Sequence, residues 1–289
     1  MREIIDGHAL LIGLMAYPIR HSLSPKMHNI VYSKLNVPYV YLAFEVTAEK
    51  LPDAIKGMRA LGMRGSAVSM PNKQLVLQYL DKVTPAAELI GAVNTISNDD
   101  GVLTGYNTDG MGYMRSLQEA GIDIIGKKMT LLGAGGAATA IAVQAALDGV
   151  KEISIFNPKD SFFPKAETIA KKLNEQTKCK VNVFDLADTE RLRKEIAEST
   201  LLNNATGVGM KPLEVQSVIT DVSMLRKDLI VTDCIYSPRK TKLLELAEAQ
   251  GCRTLNGIGM MIWQGAAQIK IWTGQDTPIE YVKEKMGFN

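Results

Sequence analysis

Between Met129 and Leu147 the chain carries no charged residue for 19 positions, in the run MTLLGAGGAATAIAVQAAL. An uncharged run of that size approaches the length of a membrane span. This one, however, is built mostly from Gly and Ala rather than from large apolar side chains. A short buried strand, a glycine bend and a buried helix explain it without a membrane. The bend also fits G-x-G-x-x-G/A, with Gly133, Gly135 and Ala138 at the fixed places. The first allows the tight turn, the second lets backbone approach a pyrophosphate, and the third keeps helix and strand close. The anion then rests on free N–H groups at the positive end of the helix dipole. The alternative is a tight strand-to-helix turn with no ligand.

This fingerprint calls for an acid about 20 residues on, at the end of the next strand, to meet the adenosine ribose. That strand is EISIFN (152–157), followed by Pro158, Lys159 and Asp160. An acid at Asp160 favours NAD, because it repels a 2′-phosphate. Lys159 beside it would attract one. The balance favours NAD and leaves NADP open, against the plainer reading of a solvated loop pair.

At 289 residues the chain has room for about two domains. Its 46% hydrophobic and 22% charged residues argue against disorder, and a net charge of +2 argues against a dedicated nucleic-acid binder. Cys179, Cys234 and Cys252 form neither a C-x-x-C pair nor a zinc pattern, which suits reduced thiols in a cytoplasm. The opening MREIIDGHALLIG has acids where a signal peptide has a basic stretch. His8, His21 and His28 show no metal-ligand spacing. The expectation is a cytoplasmic protein with no metal, no nucleic-acid partner and no membrane partner.

Short apolar runs alternate with amphipathic stretches, as in α/β units with mainly parallel strands. Strands are predicted at 9–17, 39–46, 65–69, 152–157, 181–186, 200–206 and 229–236, and helices at 51–61, 137–147 and 241–250. Asp100-Gly101 between two strand-like runs signals a hairpin. Ser24 is expected to cap a helix with Pro25 at its first position, Asp109 to cap another that ends at Gly121, and Thr277 a third with Pro278 and Glu280. Trp263 and Trp272 are expected in the core, with most of the Met residues.

The motifs YPIRHSLSP (17–25), SMPNK (69–73), GAVNT (91–95), GYNTDG (105–110), GAGGA (133–137), NNATGVGM (203–210) and GIGMMIWQGA (257–266) run through nearly the whole chain. Together they resemble the shikimate dehydrogenases, and most of all the quinate/shikimate branch. The resemblance implies a two-domain α/β fold with a cleft between the domains. Residues 1–112 would form an N-terminal α/β substrate domain and 113–256 a Rossmann dinucleotide-binding domain, with C-terminal helices in 257–289 returning to the first. It implies reversible hydride transfer between NAD(P) and a ring hydroxyl of shikimate or quinate, giving 3-dehydroshikimate or 3-dehydroquinate, in aromatic amino-acid precursor (chorismate) biosynthesis or quinate metabolism.

Carried over by motif, Lys73 and Asp109 correspond to the catalytic pair. Ser22 and Ser24 correspond to the serines that hold the substrate carboxylate. Tyr41, Ser69, Asn94, Tyr236 and Gln264 stand on the substrate side. Gly133, Ala134, Gly135, Gly136, Ala137, Asn157, Lys159, Asp160, Thr206, Cys234 and Gly257 stand on the cofactor side. Where NADP-using relatives carry an Asn-Arg-Thr run, this chain has Asn157-Pro158-Lys159. Gly207 stands where that branch can carry a Lys. A homodimer is left open.

Lysine suits the reaction: an ammonium stabilises charge building on a ketone oxygen and donates a proton to it. In the reverse direction a neutral amine must take the hydroxyl proton, so oxidation is expected to quicken above neutral pH. Asp109 and Ser24 also have local excuses as helix caps, which makes Ser22 the better test of carboxylate binding. Cys234 is expected to line the site by its backbone alone. Two other readings remain: a non-catalytic dinucleotide-sensing module on the same fold, and a dehydrogenase acting on an amino-substituted ring.

Overall fold

The computed structural model describes residues 5–288; the first four residues of the acidic opening, and Asn289, lie outside the described residues. The chain divides into two compact units, one running to Thr108 and resuming at Ile262, the other spanning Asp109–Met261.

The first unit holds β1 (Leu10–Ala16), α1 (Ser24–Leu35), β2 (Tyr39–Glu45), α2 (Leu51–Ala60), β3 (Gly65–Val68), α3 (Asn72–Leu75), β4 (Lys82–Val83), α4 (Pro85–Ile90), β5 (Thr95–Asp99) and β6 (Val102–Tyr106). Their sheet has the order β2-β1-β3-β5-β6-β4. β1 pairs in parallel with β2 and β3, whereas β5 is antiparallel to both β3 and β6. β4 pairs in parallel with β6, so this sheet is mixed, with three parallel and two antiparallel pairings. The hairpin supplies the β5–β6 pairing: Asp100 and Gly101 take φ of 52° and 91°, the left-handed pair that matches strand twist.

The second unit holds α5 (Asp109–Glu119), β7 (Lys128–Leu132), α6 (Gly136–Asp148), β8 (Glu152–Asn157), α7 (Phe163–Gln176), β9 (Lys180–Asp185), α8 (Thr189–Glu198), β10 (Leu201–Asn204), β11 (Ile230–Asp233), α9 (Lys242–Ala249) and β12 (Arg253–Leu255). Its sheet, β12-β11-β10-β7-β8-β9, is parallel at every described pairing. Strand order runs outward from β7 in one direction and from β10 in the other. The carboxyl ends of β7 and β10 thus flank the topological switch point, where α/β sheets bind ligands. The uncharged run supplies β7 and the Ala-rich α6, and Gly110 lets α5 pack so closely on α6 that an added Cβ would meet the Ala140 carbonyl oxygen at 2.2 Å. Among the described residues no helix is long and apolar enough to cross a membrane.

Last in the chain come α10 (Ile258–Thr273) and α11 (Ile279–Met286). In the first unit Trp272 is 1% exposed and donates from Nε1 to the Ile96 carbonyl at 2.9 Å. Gly65 leaves room for it, since a Cβ there would stand 2.2 Å from that nitrogen.

The three expected caps are each displaced by one residue: Ser24 and Asp109 are the first residues of their helices, and Thr277 stands ahead of its cap. α1 begins at Ser24 itself after Leu23, and Ser24 makes no side-chain cap. Ser22 does the local work instead: its Oγ accepts from the Ser24 N–H at 3.2 Å. α11 begins at Ile279 with Pro278 at the cap, so Thr277 stands one residue too early and its hydroxyl caps nothing. Asp109 is the first residue of α5, where the helix dipole favours a carboxylate.

At the opposite end of the second sheet, Lys128 meets Glu195 at 2.6 Å, Glu198 at 2.7 Å and Glu152 at 3.3 Å. Burial alone would lower the Lys128 pKa, but these carboxylates outweigh it and hold the amine well above its ordinary value. Ser154 also donates to Glu195 at 2.7 Å, so the buried charges are paired and hydrogen-bonded.

In the first unit His28 is wholly buried. It stacks on Tyr41 at 4.2 Å between centroids, and its Nδ1 bonds the Ser24 carbonyl at 2.9 Å. That carbonyl can only accept, so Nδ1 carries the proton. Burial lowers the imidazole from 6.5 to about 4, against the opposing pull of Ser24 and Gln268. The folded value lies below the unfolded one, so the unfolded chain binds the extra proton first. The stability contribution is complete above pH 6.5 and fades as pH falls towards 4. By pH 4 this group should cost the fold about 3 kcal/mol relative to pH 7. Urea unfolding of the wild type and of His28→Gln at the two pH values checks this. The variant should lose less stability on acidification, and equal losses would remove His28 as the cause.

Candidate active site

In the first unit the candidate residues gather at the carboxyl edge of the parallel strands. Chain leaving β1 and β3 is stitched together there: Ser69 N–H donates to the Met15 carbonyl at 3.1 Å, and Tyr17 N–H to the Met70 carbonyl at 3.0 Å. The antiparallel β5 starts at the same edge, because Val68 N–H donates to the Asn94 carbonyl at 2.8 Å and Val93 N–H to the Lys73 carbonyl at 2.8 Å. Lys73, on the short α3, is half-buried, as are Ser22, Ser24 and Ser69. The mixed sheet thus brings Ser69, Lys73 and Asn94 to one edge from separate parts of the chain.

Asn94 is buried, and its side-chain Oδ1 accepts from Thr108 N–H at 2.9 Å and from the Thr95 hydroxyl at 2.7 Å. Its amide nitrogen donates to the Thr108 hydroxyl at 2.9 Å. It fixes the backbone that leads into Asp109. Tyr41 is wholly buried in mid-strand, with burial raising its phenol far above the ordinary value and Ser24 opposing. Its hydroxyl lies towards Ser24 without a well-formed hydrogen bond. Gln264 is half-buried on α10, one turn ahead of Gln268 and on the same face.

In the second unit the glycine bend has the form that its pattern predicts. Gly133 has φ of +104°, and a Cβ there would approach Ala205 O at 3.0 Å and Thr206 Cγ2 at 3.1 Å. At Gly135 and Gly136 an added Cβ would meet nothing within 4 Å. Protein packing therefore does not require glycine at either position. The bend from Ala134 to Ala137 opens the 13-residue α6, and Gly135 has no side chain to cap it. An approaching diphosphate would require both features, so the residues present fit a dinucleotide.

Around the bend, Thr206 donates to Asn204 Oδ1 at 2.7 Å, and Asn204 Nδ2 donates to the buried Asp233 at 3.1 Å. A Cβ on Gly257 would stand 2.0 Å from the Cys234 carbonyl oxygen, so this glycine serves close packing. Burial raises the Cys234 thiol to about 12, opposed by Asn203 and supported by the nearby Asp233 and Asp109 carboxylates. The thiol is therefore neutral and a poor nucleophile. Asn157 Nδ2 donates to Asp160 Oδ1 at 2.9 Å, and the exposed Lys159 stands 3.8 Å from Asp185. Tyr236 is 38% exposed just past β11.

Several residues in these clusters carry no motif of their own. His28 lies one turn after Ser24 on α1, and that spacing is the one sequence signal for it. Gln268 donates to the Thr95 hydroxyl at 3.1 Å beneath Asn94. Asn203 opens the NNATGVGM motif, but its partners lie elsewhere: it accepts from Thr232 at 2.7 Å, which in turn meets Tyr113 at 2.9 Å. Such long-range partners leave no periodic mark on a sequence.

Two family models match: the shikimate dehydrogenase substrate binding domain at 14–96 and the shikimate 5′-dehydrogenase C-terminal domain at 257–286. A shikimate dehydrogenase (NADP(+)) of Listeria monocytogenes is 62% identical over 282 residues, covering 98% of this chain and 97% of its own. A quinate/shikimate dehydrogenase of Escherichia coli is 56% identical over 278 residues, covering 96% of each. The crystal structure of shikimate 5-dehydrogenase from Listeria monocytogenes with shikimate and NAD superposes with a TM-score of 0.97 at 62% identity, covering 99% of each chain. On its sequence, its two sheets and these relatives, the chain belongs to the shikimate dehydrogenase family.

Proposed function

We propose that this protein reversibly oxidises a ring hydroxyl of shikimate, quinate or both, with NAD(P) as the hydride partner. The observation that carries the reading is the glycine bend at a switch point, where two glycines have no packing reason to be glycine. A relative named shikimate dehydrogenase over nearly its whole length supports the substrate class, and one named quinate/shikimate dehydrogenase supports the second ring acid. Because such relatives are enzymes by name, a purely sensing module is not favoured.

The N–H groups at Ala134–Ala137 would hold the diphosphate, the Gly133 N–H being given to the Phe156 carbonyl, with Asn157, Asp160, Thr206, Cys234 and Gly257 placing the rest of the dinucleotide. When bound, it supplies the acceptor or donor of hydride at the carbinol carbon. Ser22 and Ser24 hold the ring carboxylate by hydroxyl donors, and Ser22 also steadies the turn through the Ser24 N–H. Ser69, Asn94, Tyr236 and Gln264 present hydroxyls and amides to the substrate, whereas Tyr41, with its hydroxyl buried, is stacked on His28. A site built on such bonds rejects analogues that lack the hydroxyl. Lys73 moves the hydroxyl proton and balances charge on that oxygen, and Asp109 is the second member of the catalytic pair that the family motifs name. On charge, NAD is the preferred form: the Asn157-Pro158-Lys159 run offers one cation to a 2′-phosphate, and Asp160 opposes it.

Absorbance at the reduced-nicotinamide band, with protein, shikimate or quinate, and NAD or NADP, tests the reading. Turnover is expected with at least one ring acid, and dinucleotide binding without any turnover would overturn it. In Lys73→Ala, kcat should fall by about 10²-fold or more while NAD binding persists. Near-normal turnover in that variant would remove Lys73 from the mechanism.

A further inference from the structure

The loop after β8 faces a second acid that no fingerprint identifies. β8 and β9 are neighbours, with Asn157 opposite Asp185. Leu186 N–H donates to the Asn157 carbonyl at 3.0 Å, so the ends of the two strands are tied together. Asp185 Oδ1 accepts from Ala187 N–H at 3.0 Å, which fixes the carboxylate. Its other oxygen lies 3.8 Å from Lys159 Nζ. Across the strand, Phe184 faces the other way, beneath Arg191, whose guanidinium also pairs with Glu195 at 3.3 Å. Asp160 Oδ1 accepts from Asn157 and from Phe162 N–H at 2.9 and 2.8 Å, so it too is held in place. Lys159 therefore stands with fixed carboxylates on either side of its loop.

We propose that Asp185 is a specificity-determining residue that discriminates against NADP by engaging Lys159. The inference rests on the dinucleotide reading of this site and deepens it. Alone, Lys159 is a cation on a flexible stem beside the adenosine ribose position, suited to a 2′-phosphate. Paired with Asp185, it offers that phosphate little net charge. The pair is exposed, so it has little bearing on stability. Its effect falls on which dinucleotide is bound.

The test is calorimetric titration of the full chain with NAD and with NADP, for wild type, Asp185→Asn and the double variant Asp185→Asn/Lys159→Ala. Asparagine keeps the acceptor for Ala187 N–H and removes only the charge. In Asp185→Asn the ratio of NADP to NAD affinity should rise by about tenfold, with NAD binding nearly unchanged. In the double variant most of that gain should vanish, because the gain acts through the released lysine. An unchanged ratio in Asp185→Asn, with NAD still bound, would overturn the role of Asp185 alone. A gain that survives loss of Lys159 would overturn the pairing argument. A wild type that binds neither dinucleotide would overturn the site reading and this inference together.

Discussion

The rest of the structure depends on one close passage of backbone. At Gly133 the chain turns with φ of +104°, and the turn lies so near Ala205 that a side chain would press on its carbonyl oxygen. Only glycine adopts that conformation without strain and also leaves the gap. The consequence is local and directional: β7 stops at Leu132, α6 starts at Gly136, and the first turn of α6, whose N–H groups have no partner within the helix, follows the carboxyl end of β7 beside the switch point. Parallel packing then brings Thr206, Asp233 and Cys234 to the same carboxyl edge from distant parts of the chain.

Glycines on the cofactor side answer to different forces. Gly133 is demanded by backbone geometry and Gly257 by contact with the Cys234 carbonyl. Gly135 and Gly136 are demanded by neither. Burial separates the polar groups in a similar way. His28 and Cys234 are held neutral by desolvation, while Lys128 stays charged because three carboxylates surround it. A buried ionisable group takes the form that its partners can satisfy.

Much of this was legible in the residues themselves. The glycine bend, the Asp100-Gly101 hairpin and the alternation of strands and helices are local signals, and they appear where their physics requires. The three expected helix caps were misplaced for a local reason as well: Ser24, Asp109 and Thr277 each stand one residue from the cap position, and in a cap one residue decides whether a side-chain oxygen reaches an N–H. The first sheet's antiparallel half was legible only as a hairpin, because pairing of β3 with β5 is a tertiary choice. Family motifs named Asn94 and Gln264, but the hydrogen bonds of Asn94 to Thr108 and of Gln268 to Thr95 join positions far apart in sequence. Asp185 was invisible for the same reason. It matters because β9 lies beside β8, and that adjacency belongs to the sheet rather than to any motif.

The central claim is that the bend at 133–137 exists to receive a diphosphate. Gly135→Val tests it most directly, since the protein leaves open space around that position. Titration calorimetry with NAD, beside a thermal unfolding curve, separates the two causes. The account predicts an almost unmoved melting temperature and NAD affinity weakened by about thirtyfold or more, as for a contact worth about 2 kcal/mol. A variant that folds as before and binds NAD as tightly as the wild type would contradict it.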